Sequence, residues 1–172
     1  MAVTISITED NNNIPDLIKA LEDLDRMYVK VGITSKADGE VLMIANVHEF
    51  GVNIDVTDKM RAFFRYKFGV NLKKDTINIP ERSFIRTGFD ANEDKIGDSM
   101  EDLIGLVLDG NLSAKAFYNM LGQTTAQAIA LHLRDEVNSP PNSGLTIQNK
   151  GSSNVLVDSG RLVGSIDYEV VG

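Results

Sequence analysis

Ile14-Pro15-Asp16-Leu17-Ile18-Lys19-Ala20-Leu21-Glu22-Asp23-Leu24-Asp25-Arg26-Met27-Tyr28-Val29-Lys30-Val31-Gly32-Ile33 changes its apolar period part-way along. Leu17, Ile18, Leu21 and Leu24 recur at helical spacing, and Pro15 sits where a helix can start without needing its N–H. From Tyr28 the period drops to two, with Val29, Val31 and Ile33 alternating as a strand that ends near Gly32. Upstream, Val3, Ile5 and Ile7 alternate with Thr4, Ser6 and Thr8 as a half-buried strand, and Asn11 to Asn13 form a turn. The chain therefore opens strand–helix–strand. Ile166, Tyr168 and Val170 alternate as a final strand, and long helical patterns fill the middle. This order predicts an α+β fold, with a small, mostly antiparallel sheet packed against long helices.

Between these ends, Ser35 to Gly39 reads as a polar loop, and a helix from Glu40 carries Val41, Leu42, Ile44, Ala45, Val47 and His48 until Gly51 stops it. Residues 52–56 alternate as a short strand. Thr57 can cap a helix that runs to Phe68 and ends at Gly69, and residues 70–79 return as an extended arm to Pro80. Residues 80–86 read as extended and turn-like, with Phe84 inward and Arg82 and Arg86 pointing elsewhere. An acidic helix is expected over Ala91 to Leu108, its apolar face carrying Ile96, Met100, Leu103, Ile104 and Val107. Another, capped by Ser113, is expected through about Val137. Ser139-Pro140-Pro141-Asn142-Ser143-Gly144 ends all helix, and a polar loop follows to residue 156. We read one domain over residues 1–172, with an insertion arm at about 52–79 that forms a protruding basic hairpin.

Composition narrows the function classes. The 172 residues are 42% hydrophobic and 24% charged, contain no cysteine, and carry a formal net charge of −8. Without cysteine there is no disulfide scaffold, thiol nucleophile or zinc–thiolate site. The acidity argues against general nucleic-acid binding. Met1 to Asp10 lack a basic start and an apolar run, so no signal peptide is expected. No stretch approaches the roughly 20 apolar residues of a membrane span. These features lead us to expect a soluble, cytosolically made protein with no membrane partner.

Charge is also segregated. Six Lys or Arg (Lys59, Arg61, Arg65, Lys67, Lys73, Lys74) face one acid, Asp58, between residues 58 and 74, interleaved with Phe63, Phe64, Tyr66 and Phe68. Aromatic and Arg anchors favour a subunit interface, at Arg61, Phe64, Arg65 and Tyr66, matched by the acidic remainder of a neighbouring copy. The competing readings are a hairpin packed on its own domain and a nucleic-acid-contacting module.

Leu156-Val157-Asp158-Ser159-Gly160 has the form of an aspartic-protease loop, which would require a dimer to pair its carboxylates. The favoured reading is a helical cap at Asp158 or Ser159, with Arg161 able to pair with Asp158. His48-Glu49 opens like a zinc-protease helix, but Val52 stands where the second His belongs. His132 has no clustered partner and reads as a surface or packing residue. Glu93, Asp94, Asp98, Glu101 and Asp102 have the spacing of a solvated helix face. No glycine pattern matches a phosphate loop. We expect no cofactor, no metal and no catalytic residue.

Three elements, taken in order, resemble a known family. They are Val47-His48-Glu49-Phe50-Gly51, then Ile79-Pro80-Glu81-Arg82-Ser83-Phe84-Ile85-Arg86, then Leu156-Val157-Asp158-Ser159-Gly160-Arg161-Leu162 with Ser165-Ile166 and Tyr168. Their order and spacing, over roughly residues 28–171, are similar to the phage virion-morphogenesis family of head–tail joining, neck and tail-completion proteins. Ser159 stands where members usually carry Thr. The resemblance implies a non-catalytic α+β subunit of a ring, commonly a hexamer, in the virion. Such a ring closes the tail tube or joins it to the head connector, as tail terminator or head–tail adaptor. Its partners would be further copies of the chain, tail tube or sheath proteins and connector proteins, with DNA passing through unrecognised. Within these elements Glu49-Phe50-Gly51 is expected to end a helix and bury Phe50. Arg82, Arg86, Asp158 and Arg161 are candidates for intersubunit pairs alongside local roles.

Overall fold

The computed structural model describes residues 13–144, 146–147, 156 and 160–172. The strand expected at Val3 to Ile7 lies outside them. In chain order the elements are α1 (Ile14–Arg26), β1 (Tyr28–Ile33), α2 (Gly39–Phe50), β2 (Val52–Asp55), α3 (Asp58–Phe68), β3 (Thr76–Ile79), α4 (Phe84–Asp90), α5 (Glu93–Leu108), α6 (Ala114–Asp135), a 3-10 turn (Val163–Ser165) and β4 (Ile166–Val171). The fold is α+β, as the sequence predicts. Its described strands form two antiparallel pairs. β1 pairs with β4 from Tyr28↔Val171 to Ile33↔Ile166, and β2 pairs with β3 from Val52↔Ile79 to Asp55↔Thr76.

The helix α6 is the spine. Ser113 caps it by accepting a hydrogen bond from the Ala116 amide, and its 22 residues run beneath the β1–β4 pair. Gly122 lets the layers meet: a Cβ there would stand 2.5 Å from Tyr168 Cδ2 and 2.7 Å from Val29 Cγ2. Toward its start, α6 packs Phe117 and Leu121 against Ile96, Leu103 and Val107 of α5, with Ala20 and Leu24 of α1 at the edge. Toward its end, Leu133 packs with Val41 and Ala45 of α2, Phe84 of α4, Val137, Leu156 and Leu162. Fully buried Phe84 and Leu133 each contribute about 1.5–3 kcal/mol by leaving water.

Three expectations change here. The helix expected from Ala91 begins earlier and in two pieces, because α4 occupies Phe84–Asp90 where extended chain was expected. The extended return arm is a strand only over Thr76–Ile79. Helix does not end for good at the two prolines, since the Ile147 amide donates to the Ser143 carbonyl in a further helical turn.

Candidate functional site

The last turn of α2 explains why α4 forms. Val41, Ala45 and Glu49 lie at i, i+4 and i+8, so one face of α2 carries all three inward and Glu49 is buried. Its carboxylate accepts hydrogen bonds from Ser83 Oγ at 2.6 Å, the Ile85 amide at 2.9 Å and the Arg86 amide at 3.2 Å. Ser83, at the cap position of α4, makes no cap bond of its own and hands its hydroxyl to Glu49 instead. A carboxylate from a distant helix thus satisfies the free amides that begin α4. Phe50, one residue on, is rotated away and is 66% exposed, which corrects the expectation that it is buried. Gly51 is needed where it stands: its φ is +68°, and a Cβ would lie 2.8 Å from the Glu81 amide nitrogen.

The arginines of the three sequence elements are engaged within the chain. Arg82 is buried, which corrects the reading that it points away toward a neighbour's carboxylates. Its Nε donates to the Pro140 carbonyl at 2.8 Å, and its Nη2 reaches the Pro141 carbonyl and Asn142 Oδ1. The physical reason is that burial must be met with acceptors, and the proline segment offers carbonyls directly above it. Burial also lowers the Arg82 pKa from its ordinary value. Arg86 pairs with Glu81 at the surface.

Arg161 donates to Glu40 at 3.0 Å and to Asp38 at 2.5 Å. Asp38 itself caps α2 by accepting from the Glu40 and Val41 amides. The Val41 amide, then Arg161, hold the Asp38 carboxyl below its usual range. Glu40 and Asp38 raise the pKa of Arg161. Asp158 and Ser159 lie outside the described residues. His132 Nε2 lies 3.0 Å from Thr87 Oγ1, a contact the sequence reading did not anticipate.

Residues 52–79 form strand–helix–strand, and the strands lift α3 off the junction of α2 and α4. Thr57 caps α3, and Gly69, in the left-handed region, closes it. None of its residues is buried. Arg61 holds the arm together, donating to the Leu72 carbonyl and to Asp75 Oδ1 at 2.6 Å, and Arg65 donates to Asn71 at 2.9 Å. Phe63, Phe64 and Phe68 form a ring cluster with centroids 5.7–6.0 Å apart. Tyr66 is 94% exposed. Arg61, Arg65 and Phe64 therefore serve the arm itself, and the outward face carries Lys59, Ala62, Phe63, Tyr66 and Lys67.

Comparisons with family models, curated proteins and solved structures found no match.

A groove of about 610 Å³ opens between β1, α4, α5 and α6, walled by apolar side chains that include Val31, Phe89, Ile96, Met100 and Ile129. Arg86, Asp90 and Glu93 stand at its margin. The α5 acids Glu93, Asp94, Asp98, Glu101 and Asp102 are all exposed, as a solvated face requires. Among the described residues no three His, Asp or Glu side chains are grouped to hold a metal ion, and no helix is long and apolar enough to cross a membrane. The described arrangement presents aromatic and basic groups on an arm, and an apolar groove edged by carboxylates. Sequence reading missed Glu49 as the cap of α4, Asp38 as a partner of Arg161, and Asp75, one residue beyond the basic run, as the anchor of Arg61.

Proposed function

We propose that this chain is a structural subunit of the neck or tail end of a tailed bacteriophage, forming a ring that completes the tail or joins it to the head connector. The carrying observation is the ordered set of three sequence elements, which folding brings to one junction. Glu49 of the first holds Ser83 and the α4 amides of the second, and Leu156 and Leu162 of the third share a core with Phe84. The subunit works by recognition: repeated contacts with copies of itself close the ring, whose faces then meet tail tube or sheath proteins and connector proteins. Assembly takes place in the bacterial cytoplasm and the product resides in the virion. A stable contact of this kind buries about 1,200–2,000 Å². Light scattering and electron microscopy of the purified chain, alone and mixed with tail and connector proteins, test the reading. Rings are expected, and a persistent monomer under all these conditions would overturn it.

A second reading, contact between the arm and nucleic acid, is favoured by Tyr66 standing free beside Lys67. It requires salt-dependent DNA binding that is lost when Lys59 and Lys67 are neutralised.

A further inference from the structure

Resting on that reading, we propose that the outward face of α3 seats in the groove between β1, α4 and α5 of a second copy of this chain. Phe63 and Tyr66 enter the groove, and Lys59 and Lys67 meet Asp90 and Glu93. Three observations converge on this occupant.

The arm is built to present its tip. Its internal bonds consume Arg61 and Arg65, yet Phe63 is half exposed and Tyr66 almost wholly so. The four-residue strands that lead to and from α3 each span about 13 Å. Lys67 Nζ lies 5.5 Å from the Phe63 ring, so charge and ring are offered together.

The groove is complementary in both size and sign. At about 610 Å³ it falls in the ~300–1,000 Å³ range of sites that enclose a sizeable group. Phe89 and Met100 on its walls stay more than 40% exposed, so the arm of the same chain does not fill it. Among the described residues the one cation at its margin, Arg86, is paired with Glu81, while Asp90 and Glu93 are exposed. Residues 58–74 hold six of the chain's seventeen Lys and Arg and one of its twenty-five acids, so the sign difference between arm and body is large.

The geometry is of the right kind for a ring. Arm and groove are different patches, so their contact is compatible with a head-to-tail arrangement, which closes into a ring where the rotation between copies allows; reciprocal exchange of arms between two copies would instead stop at a dimer.

The chain has no cysteine, which permits a clean cross-linking test. Ala62→Cys lies on the outward face of α3, and Gly97→Cys lies in the groove where an added Cβ meets nothing within 4 Å. Mixing the two single variants with a short bis-maleimide is expected to give a linked dimer. Pairing Ala62→Cys with exposed Lys115→Cys is not. Reversing Lys59 and Lys67 to Glu, or Asp90 and Glu93 to Lys, should each raise the concentration needed for assembly by about tenfold or more, and combining the four should restore it. Rings that form with no link between positions 62 and 97 overturn this contact and leave the ring reading standing. Two double variants, Ala62→Cys with Gly97→Cys and Ile5→Cys with Gly97→Cys, test the same-chain occupant. A cross-link within one chain of either shows that the groove is filled by its own chain and overturns the proposal. A chain that never assembles, with or without tail and connector proteins, overturns both.

Discussion

Replacing Glu49 by Gln changes one atom of a carboxylate that three donors share. The amide oxygen can keep Ser83 Oγ and the Arg86 amide, now bound by Oε1. The new amino group must then face the Ile85 amide, whose 2.9 Å bond to Oε2 becomes donor against donor. A hydrogen bond to a charged group is worth about 1.5–3 kcal/mol, and the lost charge at the start of α4 removes about 0.3–1 more. The expected cost is about 3 kcal/mol, or a drop of about 6–12 °C in the thermal midpoint of a chain this long. Glu49→Ala removes every acceptor and should cost more. Phe50→Ser, one position along, should stay within about 0.5 kcal/mol of the parent in monomer stability, because its ring is exposed. Urea unfolding followed by circular dichroism, at matched protein concentration so that assembly contributes equally, measures all three. If Glu49→Gln lies within about 0.5 kcal/mol of the parent, or Phe50→Ser is the more damaging change, the account of this junction is wrong.

Gly122→Ala should lower the thermal midpoint despite the helix propensity it adds, since its Cβ would collide with Tyr168 and Val29 at a cost of about 1–3 kcal/mol. Gly105→Ala, with open space at the same atom, should raise stability by about 0.5–1 kcal/mol. The opposite ranking, read by calorimetry, would refute the close approach of α6 to the sheet. At the α2 cap, the folded-state pKa of Asp38 is depressed below the ordinary 3.8. Its stabilisation is therefore fully present above that value and is lost as pH falls through the folded-state pKa. Asp38→Asn keeps a capping oxygen but loses the ion pair with Arg161. Its urea midpoint should lie below the parent's at neutral pH and converge with it in acid, below the folded-state pKa. A gap that persists unchanged into acid would refute the ionic contribution.

Much of this fold was legible because it rests on local signals. The caps Thr57 and Ser113, the stop at Gly69 and the period change at Tyr28 each act within a few residues, and each stands where the sequence places it. Phe84 was legible as core because no polar role competes for its ring. What could not be read depends on contacts distant in sequence. Nothing near Ser83 announces that its helix is capped from 34 residues upstream. The rule that apolar side chains go inward placed Phe50 inside, but Gly51 fixes the exit of α2 and its inward row falls on Val41, Ala45 and Glu49. A charged residue completes that row because the neighbouring helix start supplies donors for it.

The same distinction separates fold from assembly. Two of the side chains that make the three elements recognisable are consumed inside the subunit, Glu49 on α4 and Arg82 on the proline segment, while Arg161 pairs with the α2 cap at the surface. A group already bonded at home has little left to offer a neighbour, because breaking a buried bond to make another gains almost nothing. The resemblance thus marks residues that build the scaffold, and the proposed assembly would draw on groups the scaffold leaves unused. Among the described residues the proposed contact uses the aromatic and basic face of α3 and the apolar groove edged by Asp90 and Glu93, while other exposed apolar groups, Ile14, Met43 and Phe50 among them, stand elsewhere on the surface. Substitutions should sort accordingly. Changes at Glu49, Arg82 or Phe84 should destabilise the subunit, whereas changes at Phe63, Tyr66 or Lys67 should leave its stability nearly unchanged and weaken the proposed contact.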